Sequence, residues 1–420
     1  MVSTRHVVVL GAGLLGVTTA HYLAREGHQV TVIDRQKEPA RETSYANAGL
    51  LTPGHVYAWA SPRAPMILLK SLWRTDTALR WRLKLDPGMW AWGLKFLANC
   101  TAARNRQNTV IKVRLCSYSL TETAAVTAET GITWDRSQSG ALYLYRDPDH
   151  FRAGRANFKL LADEGVEART LERAELAAFE PALAAVKDRF AGAIHTPHDE
   201  SGDARKFTLA LAESCRQRGV VFKLGATITR IARSGDRVTG IETDQGRVEG
   251  DAYVLALGSY SPLLTRPLGF TLPIYPVKGY SVTLPIADAE AAPVHFGVDE
   301  ANLVAFARLG DRLRLTATAD FAGYDTSFEA RDFVHMLKVA RELFPRAAAF
   351  DRPEYWACLR PMTPDGPPIM GPSPLTNLWL NTGHGHIGWT MACGSSRIVV
   401  DRMLGRKPEI DDTPFRLSRY

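Results

Sequence analysis

The chain has 420 residues, a formal net charge of +7, 45% hydrophobic residues and 23% charged residues. This composition is that of a globular protein rather than a disordered chain and suffices for two domains with their own cores. The basic excess is spread along the sequence rather than gathered into one stripe, so no nucleic-acid partner is implied.

The first residues, MVSTRHVVVLGAGLLG, enter a strand without the charged lead and cleavage site of a secretory signal. No run of about 18 apolar residues is free of charge, so a spanning helix is not expected. The five cysteines form no C-x-x-C and no zinc or disulfide spacing, which points to a reducing, cytoplasmic compartment.

Residues 6–34 carry the strongest local signal. A β-branched strand runs into Gly11-Ala12-Gly13-Leu14-Leu15-Gly16, then a helix, then the strand QVTVID. Gly11 allows the tight turn, Gly13 lets a pyrophosphate reach the backbone, and Gly16 lets helix and strand pack closely. The helix start offers unpaired N–H groups at Leu14 and Leu15 to phosphate. Asp34, ending the second strand, is placed to accept hydrogen bonds from ribose hydroxyls. A dinucleotide site is the reading. The next segment is a polar loop with Arg35, Ser44, Asn47, Ala48, Gly49 and Leu50 rather than another regular strand–helix unit.

Residues 66–97 interleave Trp73, Trp81, Trp90 and Trp92 with Lys70, Arg74, Arg80, Arg82, Lys84 and Lys95. That composition suits a bilayer surface, where rings settle at headgroup depth and cations meet anionic lipid. A buried helical hairpin with a solvated basic face fits the same letters. Further on, Pro181 and Pro197 break a helical pattern.

Residues 219–257 read as three short alternating strands, with turns at Ser234-Gly235-Asp236 and Asp244-Gln245-Gly246, followed by the apolar strand AYVLALG ending at Gly258. A meander inserted before a strand that rejoins a parallel sheet is a feature of FAD folds. No second G-x-G-x-x-G is present, so the reductant is expected to be the substrate rather than a nicotinamide. Hairpin-like strands follow at 294–319, then an amphipathic helix at 326–344 whose inner side is marked by Phe333, Leu337 and Ala340 or Arg341.

Near the carboxyl end, ACLRPMTPDGPPIMG sets Arg360 in an extended stretch before a rigid turn. Its guanidinium can bind a carboxylate through two parallel hydrogen bonds, or can brace the loop against Asp365 or a main-chain carbonyl. In NTGHGHIGWTMACGSSR, His384 and His386 lack an obvious third ligand, so no metal is expected. Gly383, Gly385 and Gly388 instead permit backbone N–H groups to approach a flat ring, with the following helix directing its positive end there. A reduced flavin, negative along its N1–C2 edge, suits that cradle.

The stretches VVVLGAGLLGVTTAHYLAREGHQVTVIDRQ, ETSYANAGLLTPGH, YPVKGYS, LRPMTPDGPPIMG and NTGHGHIGWTMACGS together resemble the D-amino acid oxidase superfamily, and within it the bacterial D-amino acid dehydrogenases. The similarity runs in order from about residue 5 to residue 405. It implies an α/β (α+β overall) fold: a Rossmann-like FAD-binding domain of the glutathione-reductase type with its β-meander, and a substrate domain built on a mixed antiparallel sheet. The expected map is a discontinuous FAD-binding domain over 1–55, 190–270 and 355–420, and a substrate-binding domain over 56–189 and 271–354.

The implied activity is FAD-dependent oxidation of D-amino acids to 2-oxo acids and ammonia by hydride transfer from Cα to flavin N5. Electrons would pass to a quinone or another respiratory acceptor, from a peripheral position on the inner face of the cell membrane. An oxidase or dehydrogenase of glycine, sarcosine or hydroxyproline-type amines fits the same fold, as does a non-catalytic flavin-binding subunit. The oligomeric state is not legible. Expected cofactor contacts are Gly11, Gly13, Leu14, Leu15, Gly16, Asp34, Arg35, Ser44, Asn47, Ala48, Gly49, Leu50, Val221, Gly258, Gly383, His384, Gly385, His386, Ile387, Gly388, Trp389 and Thr390. The superfamily motif places the substrate-carboxylate arginine at Arg360, with His55, Tyr57, Lys278 and Tyr280 as pocket candidates. Cys358 raises the question of a covalent flavin, and a non-covalent one is expected. Departures at 55–72 and 288–327 leave the preferred substrate open.

Overall fold

The computed structural model describes residues 4–71, 79–81 and 85–420. A six-stranded sheet has the order Ile369–Pro372, Leu378–Thr382, Ala252–Leu255, His6–Leu10, Gln29–Asp34, Val221–Leu224. All its pairings are parallel except the edge pair Ile369–Pro372 with Leu378–Thr382. His6–Leu10 and Ala252–Leu255 are almost wholly buried, as strands covered on both faces must be. The helix Leu14–Arg25 packs on the helix Gly388–Met403, which in turn packs on the long helix Ala102–Thr130. Ile228–Ser234, Arg237–Thr243 and Gly246–Val248 form the expected antiparallel meander.

The nine-stranded sheet runs Glu354–Met362, Tyr275–Pro285, Arg312–Phe321, Val304–Leu309, Phe296–Asp299, Ala141–Tyr145, Gly192–Thr196, Arg169–Glu172, with Leu79–Trp81 pairing parallel to Arg312–Phe321. Gly192–Thr196 and Glu354–Met362, assigned from sequence to the nucleotide-binding part, are strands of this sheet instead. Short apolar strands do not reveal their partners, because pairing is long-range. The helix expected at 326–344 is shorter: a 3-10 turn at Ala330–Phe333, closed by a Glu329/Asp332 capping box, precedes the helix Val334–Leu343. Phe333, Leu337 and Ala340 face inward, and Arg341 is exposed.

The sequence expectations at Trp73, Arg74, Arg82 and Lys84 lie outside the described residues. In the helix Pro87–Asn99, Met89, Trp92 and Phe96 form its buried side, and the Trp92 indole donates to the Met362 carbonyl at 2.8 Å. Trp90, Leu94 and Leu97 lie outside that buried side and are exposed, so the helix also presents apolar side chains to the surface, beside the exposed Lys95. Among the described residues no helix is long and apolar enough to cross a membrane.

Candidate active site

A cavity of about 1330 Å³ runs along the carboxyl ends of the parallel strands and across one face of the nine-stranded sheet. This exceeds the roughly 300–1,000 Å³ of an ordinary small-ligand site. It has room for a dinucleotide and a second molecule.

At its first end, Gly11 has φ +109°, and a Cβ there would stand 2.7 Å from the Ala256 carbonyl oxygen. A Cβ on Gly16 would stand 1.8 Å from the Gly11 oxygen, so Gly16 serves packing rather than the cavity wall. Gly13 has open space around it, with Ser44 Oγ at 3.6 Å from the Cβ position. Leu14 N donates to that same Ser44 Oγ at 3.1 Å. Asp34 accepts from Ala12 N at 2.6 Å and Gln36 N at 2.8 Å, one bond per carboxylate oxygen. Each oxygen keeps lone-pair capacity for a ribose hydroxyl. Arg35 is held by Glu42 at 2.7 Å and lies over the Tyr260 ring at 4.1 Å.

Asn47, Ala48, Gly49, Leu50 and Gly258 line the cavity, whereas Val221 does not. Its strand runs parallel to Gln29–Asp34, so Val221 begins at the far, solvent end and Thr227, Ile228 and Thr229 supply the wall instead. Ligands gather at carboxyl ends of such strands. The alternating pattern shows a strand but not its direction in the sheet.

At the other end, His384, Gly385, His386, Ile387, Gly388 and Trp389 form the wall, while Gly383 and Thr390 stand behind it. Gly383 turns the chain at φ +77°, and Thr390 Oγ1 accepts from Thr52 N at 3.2 Å. Two helices start at the cavity, and their own N-cap residues, Gly13 and Ile387, carry no capping side-chain bond. Leu14 N, expected from sequence to be unpaired, is held by Ser44; the positive ends of both helices still face an anionic ligand. His384 Nε2 pairs with Ser395 Oγ at 2.9 Å, and burial pushes its pKa down to about 3. His386 stacks on Trp59 with ring centroids 4.8 Å apart; burial first, then the charges of Lys112, Arg360 and His55, hold it well below the usual imidazole range. Both rings are neutral. Among the described residues no group of three or more His, Cys, Asp or Glu side chains could hold a metal ion.

The sheet wall is decided by alternation. Trp356, Cys358 and Arg360 face the cavity from the strand Glu354–Met362. The Arg360 guanidinium lies on Gly279, where a Cβ would come within 2.6 Å of its Cζ. Nη1 donates to the Thr318 carbonyl at 3.0 Å. Burial lowers its pKa to about 10, with no carboxylate contributing. Of the two bracing partners, Asp365 is taken by Arg419 at 2.7 Å, whereas a carbonyl does brace the guanidinium, that of Thr318.

Lys278 points to the other side, bonded to Asp325 Oδ2 at 3.1 Å and the Ser327 carbonyl at 2.8 Å, and is off the cavity wall. Tyr280 borders the cavity but spends its hydroxyl on Asp320 at 3.0 Å. His55 and Tyr57 line the cavity, and His55 Nε2 meets Glu300 Oε1 at 2.9 Å. Sequence reasoning missed Glu300, Thr318 and Trp59. The departure of residues 288–327 from the family pattern was the one signal for the first two. Cys358 is buried 3.5 Å from Thr43 Oγ1, and burial outweighs the bond to Thr43 and the charge of Arg35 and pushes its thiol up to about 11, which disfavours the nucleophilic thiolate.

Residues 6–402 match the family model described as DAO, FAD dependent oxidoreductase. A D-amino acid dehydrogenase of Methylobacterium radiotolerans is 46% identical over 416 residues, covering 99% of both chains. D-amino acid dehydrogenase 2 of Mesorhizobium japonicum is 45% identical, covering 96% of this chain and 98% of its own. Glycine oxidase from Geobacillus kaustophilus superposes with TM-score 0.78 at 21% identity, covering 99% of this chain and 100% of that one. The two helix starts, the free edges of Asp34 and the glycine-lined walls fit the anionic and planar parts of FAD. This chain belongs to the DAO family of FAD-dependent oxidoreductases.

Proposed function

We propose that this enzyme oxidises D-amino acids to 2-oxo acids and ammonia and delivers the electrons to a quinone. One observation carries the reading of the site: Arg360 is a half-buried fork on the cavity wall, charged at neutral pH, with no carboxylate partner among the described residues. An uncompensated buried charge is costly. A substrate α-carboxylate removes that cost and receives two parallel N–H bonds. The D-amino acid class is supported by full-length relatives of that name at 45–46% identity.

Bound FAD supplies the hydride acceptor. The chain's own residues orient and exclude. Arg360 fixes one end of the substrate, Gly279 leaves room for the guanidinium to lie flat, and Trp59, Tyr57 and Trp356 give the cavity an apolar wall. Holding the Cα–H bond in reacting geometry accounts for most of what such a site contributes. The imino acid that leaves is hydrolysed by water.

Delivery to a quinone is supported by an exposed apolar surface beside the cavity. Met66, Ile67 and Leu69 are exposed on one helix and Trp90, Leu94 and Leu97 on the next, and Ile67 also belongs to the cavity wall. Such a face, with the exposed Lys95 between Leu94 and Leu97, suits peripheral contact with the inner leaflet, where a lipophilic acceptor resides.

The test is anaerobic titration of the yellow holoenzyme. D-alanine bleaches the flavin band and L-alanine does not; reoxidation by a short-chain quinone outpaces that by air. Bleaching by the L-enantiomer, or peroxide formed in step with substrate, rejects the dehydrogenase of D-amino acids.

A further inference from the structure

An amino acid enters as an ammonium, and a protonated nitrogen has no lone pair to drive hydride from Cα. Some group must take that proton. Among the described residues lining the substrate end of the cavity, the choices are few. Arg360 is charged near neutral pH and cannot accept a proton there, and His386 is held neutral and too weakly basic by burial and the surrounding cations. Tyr57 is pushed up by burial and by the Glu300 charge. Lys112 lies under the wall, its Nζ bonded to the Tyr57 carbonyl at 3.2 Å.

His55 is different. Its Nε2 is 2.9 Å from Glu300 Oε1, while no hydrogen bond reaches its Nδ1 among the described residues. The ring is stacked on Tyr143 at 5.1 Å and 14°, which fixes its plane. Tyr143 in turn donates to Asp199 at 2.8 Å, and Gly54 N, next to His55 in the chain, donates to the other oxygen of Asp199 at 3.1 Å. The pair is open to the cavity, with side-chain exposures of 32% and 21%. A carboxylate holding Nε2–H leaves Nδ1 as the basic nitrogen.

We propose that His55, oriented by Glu300, takes the proton from the substrate ammonium before the Cα hydride leaves; this rests on the amino acid oxidation proposed above. One N–H bond of the ammonium breaks and one forms at His55 Nδ1. No electron changes owner in this step. The imidazolium is then an ion pair with Glu300, and the freed amine lone pair remains on the substrate.

Every group facing His55 is consistent with that role. Burial acts against its positive charge, but Glu300 from the turn after Phe296–Asp299 and Asp199 from the turn before Glu200–Ser201 outweigh it and raise the imidazole above its ordinary value. Lys112, from the helix Ala102–Thr130, opposes them more weakly. Tyr143 and Tyr57 are neutral, and His386 across the cavity is uncharged. An imidazole raised above its ordinary value is the stronger base for taking a proton from an ammonium.

The experiment is anaerobic stopped-flow reduction of FAD-loaded wild type, His55→Gln and Glu300→Gln by D-alanine from about pH 6 to about pH 10.5. His55→Gln is expected to be about 100-fold slower at neutral pH, with the deficit vanishing at the alkaline end, where the amine is already free. Glu300→Gln shifts the pH limb of the wild type downward. A deficit of constant size at every pH, or none, overturns the assignment of His55. Should His55→Gln not retain FAD, an unshifted limb in Glu300→Gln overturns it alone. Wild type that no D-amino acid bleaches at any pH defeats the proposed activity itself, an outcome distinct from either.

Discussion

Arg360 Nη1 donates to the main-chain carbonyl of Thr318 at 3.0 Å, and Thr318 is one of four non-glycine residues with positive φ among the described residues, at +62°. The same residue is the extra one in a bulge, because Gly279 pairs with Ala319 while Tyr280 pairs with Ala317. A β-branched residue in that conformation costs on the order of 1–3 kcal/mol. The bulge re-aims a carbonyl that would otherwise face a neighbouring strand, and it holds the guanidinium without neutralising it.

Removing the charge tests the anchor. Arg360→Met is expected to keep FAD bound and to lower kcat/KM for D-alanine by on the order of 100-fold or more, since a buried pair broken at one partner costs roughly 3–5 kcal/mol. Arg360→Lys should not rescue it, because a point charge cannot make the parallel pair of bonds. Unchanged kcat/KM in the Met variant removes Arg360 from the site.

Gly279 can be tested without touching any charge. A methyl group there falls 2.6 Å from Arg360 Cζ, and the guanidinium, being the end of a flexible chain, can move aside. Gly279→Ala should therefore raise KM about tenfold, equivalent to about 1.4 kcal/mol, and leave the melting temperature nearly unchanged. A large loss of Tm with normal KM contradicts this.

The two glycines of the first turn should fail differently. Gly16→Ala puts its methyl 1.8 Å from a backbone oxygen, a conflict no rotamer relieves, so loss of about 3 kcal/mol or more of stability is expected. Gly13→Ala has space in the protein, with its nearest atom at 3.6 Å, and should fold with weaker FAD binding. Denaturant unfolding of the apoproteins and flavin fluorescence titration separate the two cases.

Asp199 makes stability depend on pH. Burial first raises its pKa from 3.8 to about 6, against the hydrogen bonds from Thr196, Tyr143 and Gly54 and the charge of His55. The folded state thus holds a proton that the unfolded state has released. The associated stability is fully present below about pH 4 and is lost as pH rises through about 6, by about 3 kcal/mol. In Asp199→Asn that particular slope should disappear. Identical slopes in wild type and variant, measured by chemical denaturation at each pH, refute the shift.

The apolar face of the helix Pro87–Asn99 predicts a lipid contact. Leu94 is 69% exposed and lies off the cavity wall. Leu94→Glu should weaken co-sedimentation with anionic vesicles by about tenfold or more, the value of one buried leucine, while flavin reduction by D-alanine is unchanged. Equal sedimentation of both proteins rejects the contact.

Much of the nucleotide-binding half was legible from residues alone, because its signals are local. Gly11 and Gly16 meet demands of backbone angle and contact within a few residues of themselves, Asp34 follows its strand, and the turns of the meander are spelled by Gly235 and Gly246. Arg360 was singled out differently, through the family resemblance of its motif, and it stands on the cavity wall.

What tertiary structure alone decided depends on strand partners and register. The sheet direction moves the cavity wall from Val221 to Thr227–Thr229, alternation sends Lys278 away and leaves Gly279 under Arg360, and a bulge at Thr318 turns one carbonyl. Glu300 meets His55 across 245 residues of chain. Local letters fix backbone conformation, since φ and close packing are properties of near neighbours. They do not fix which strands pair or in what register, and a shift of one residue exchanges every side chain between core and cavity.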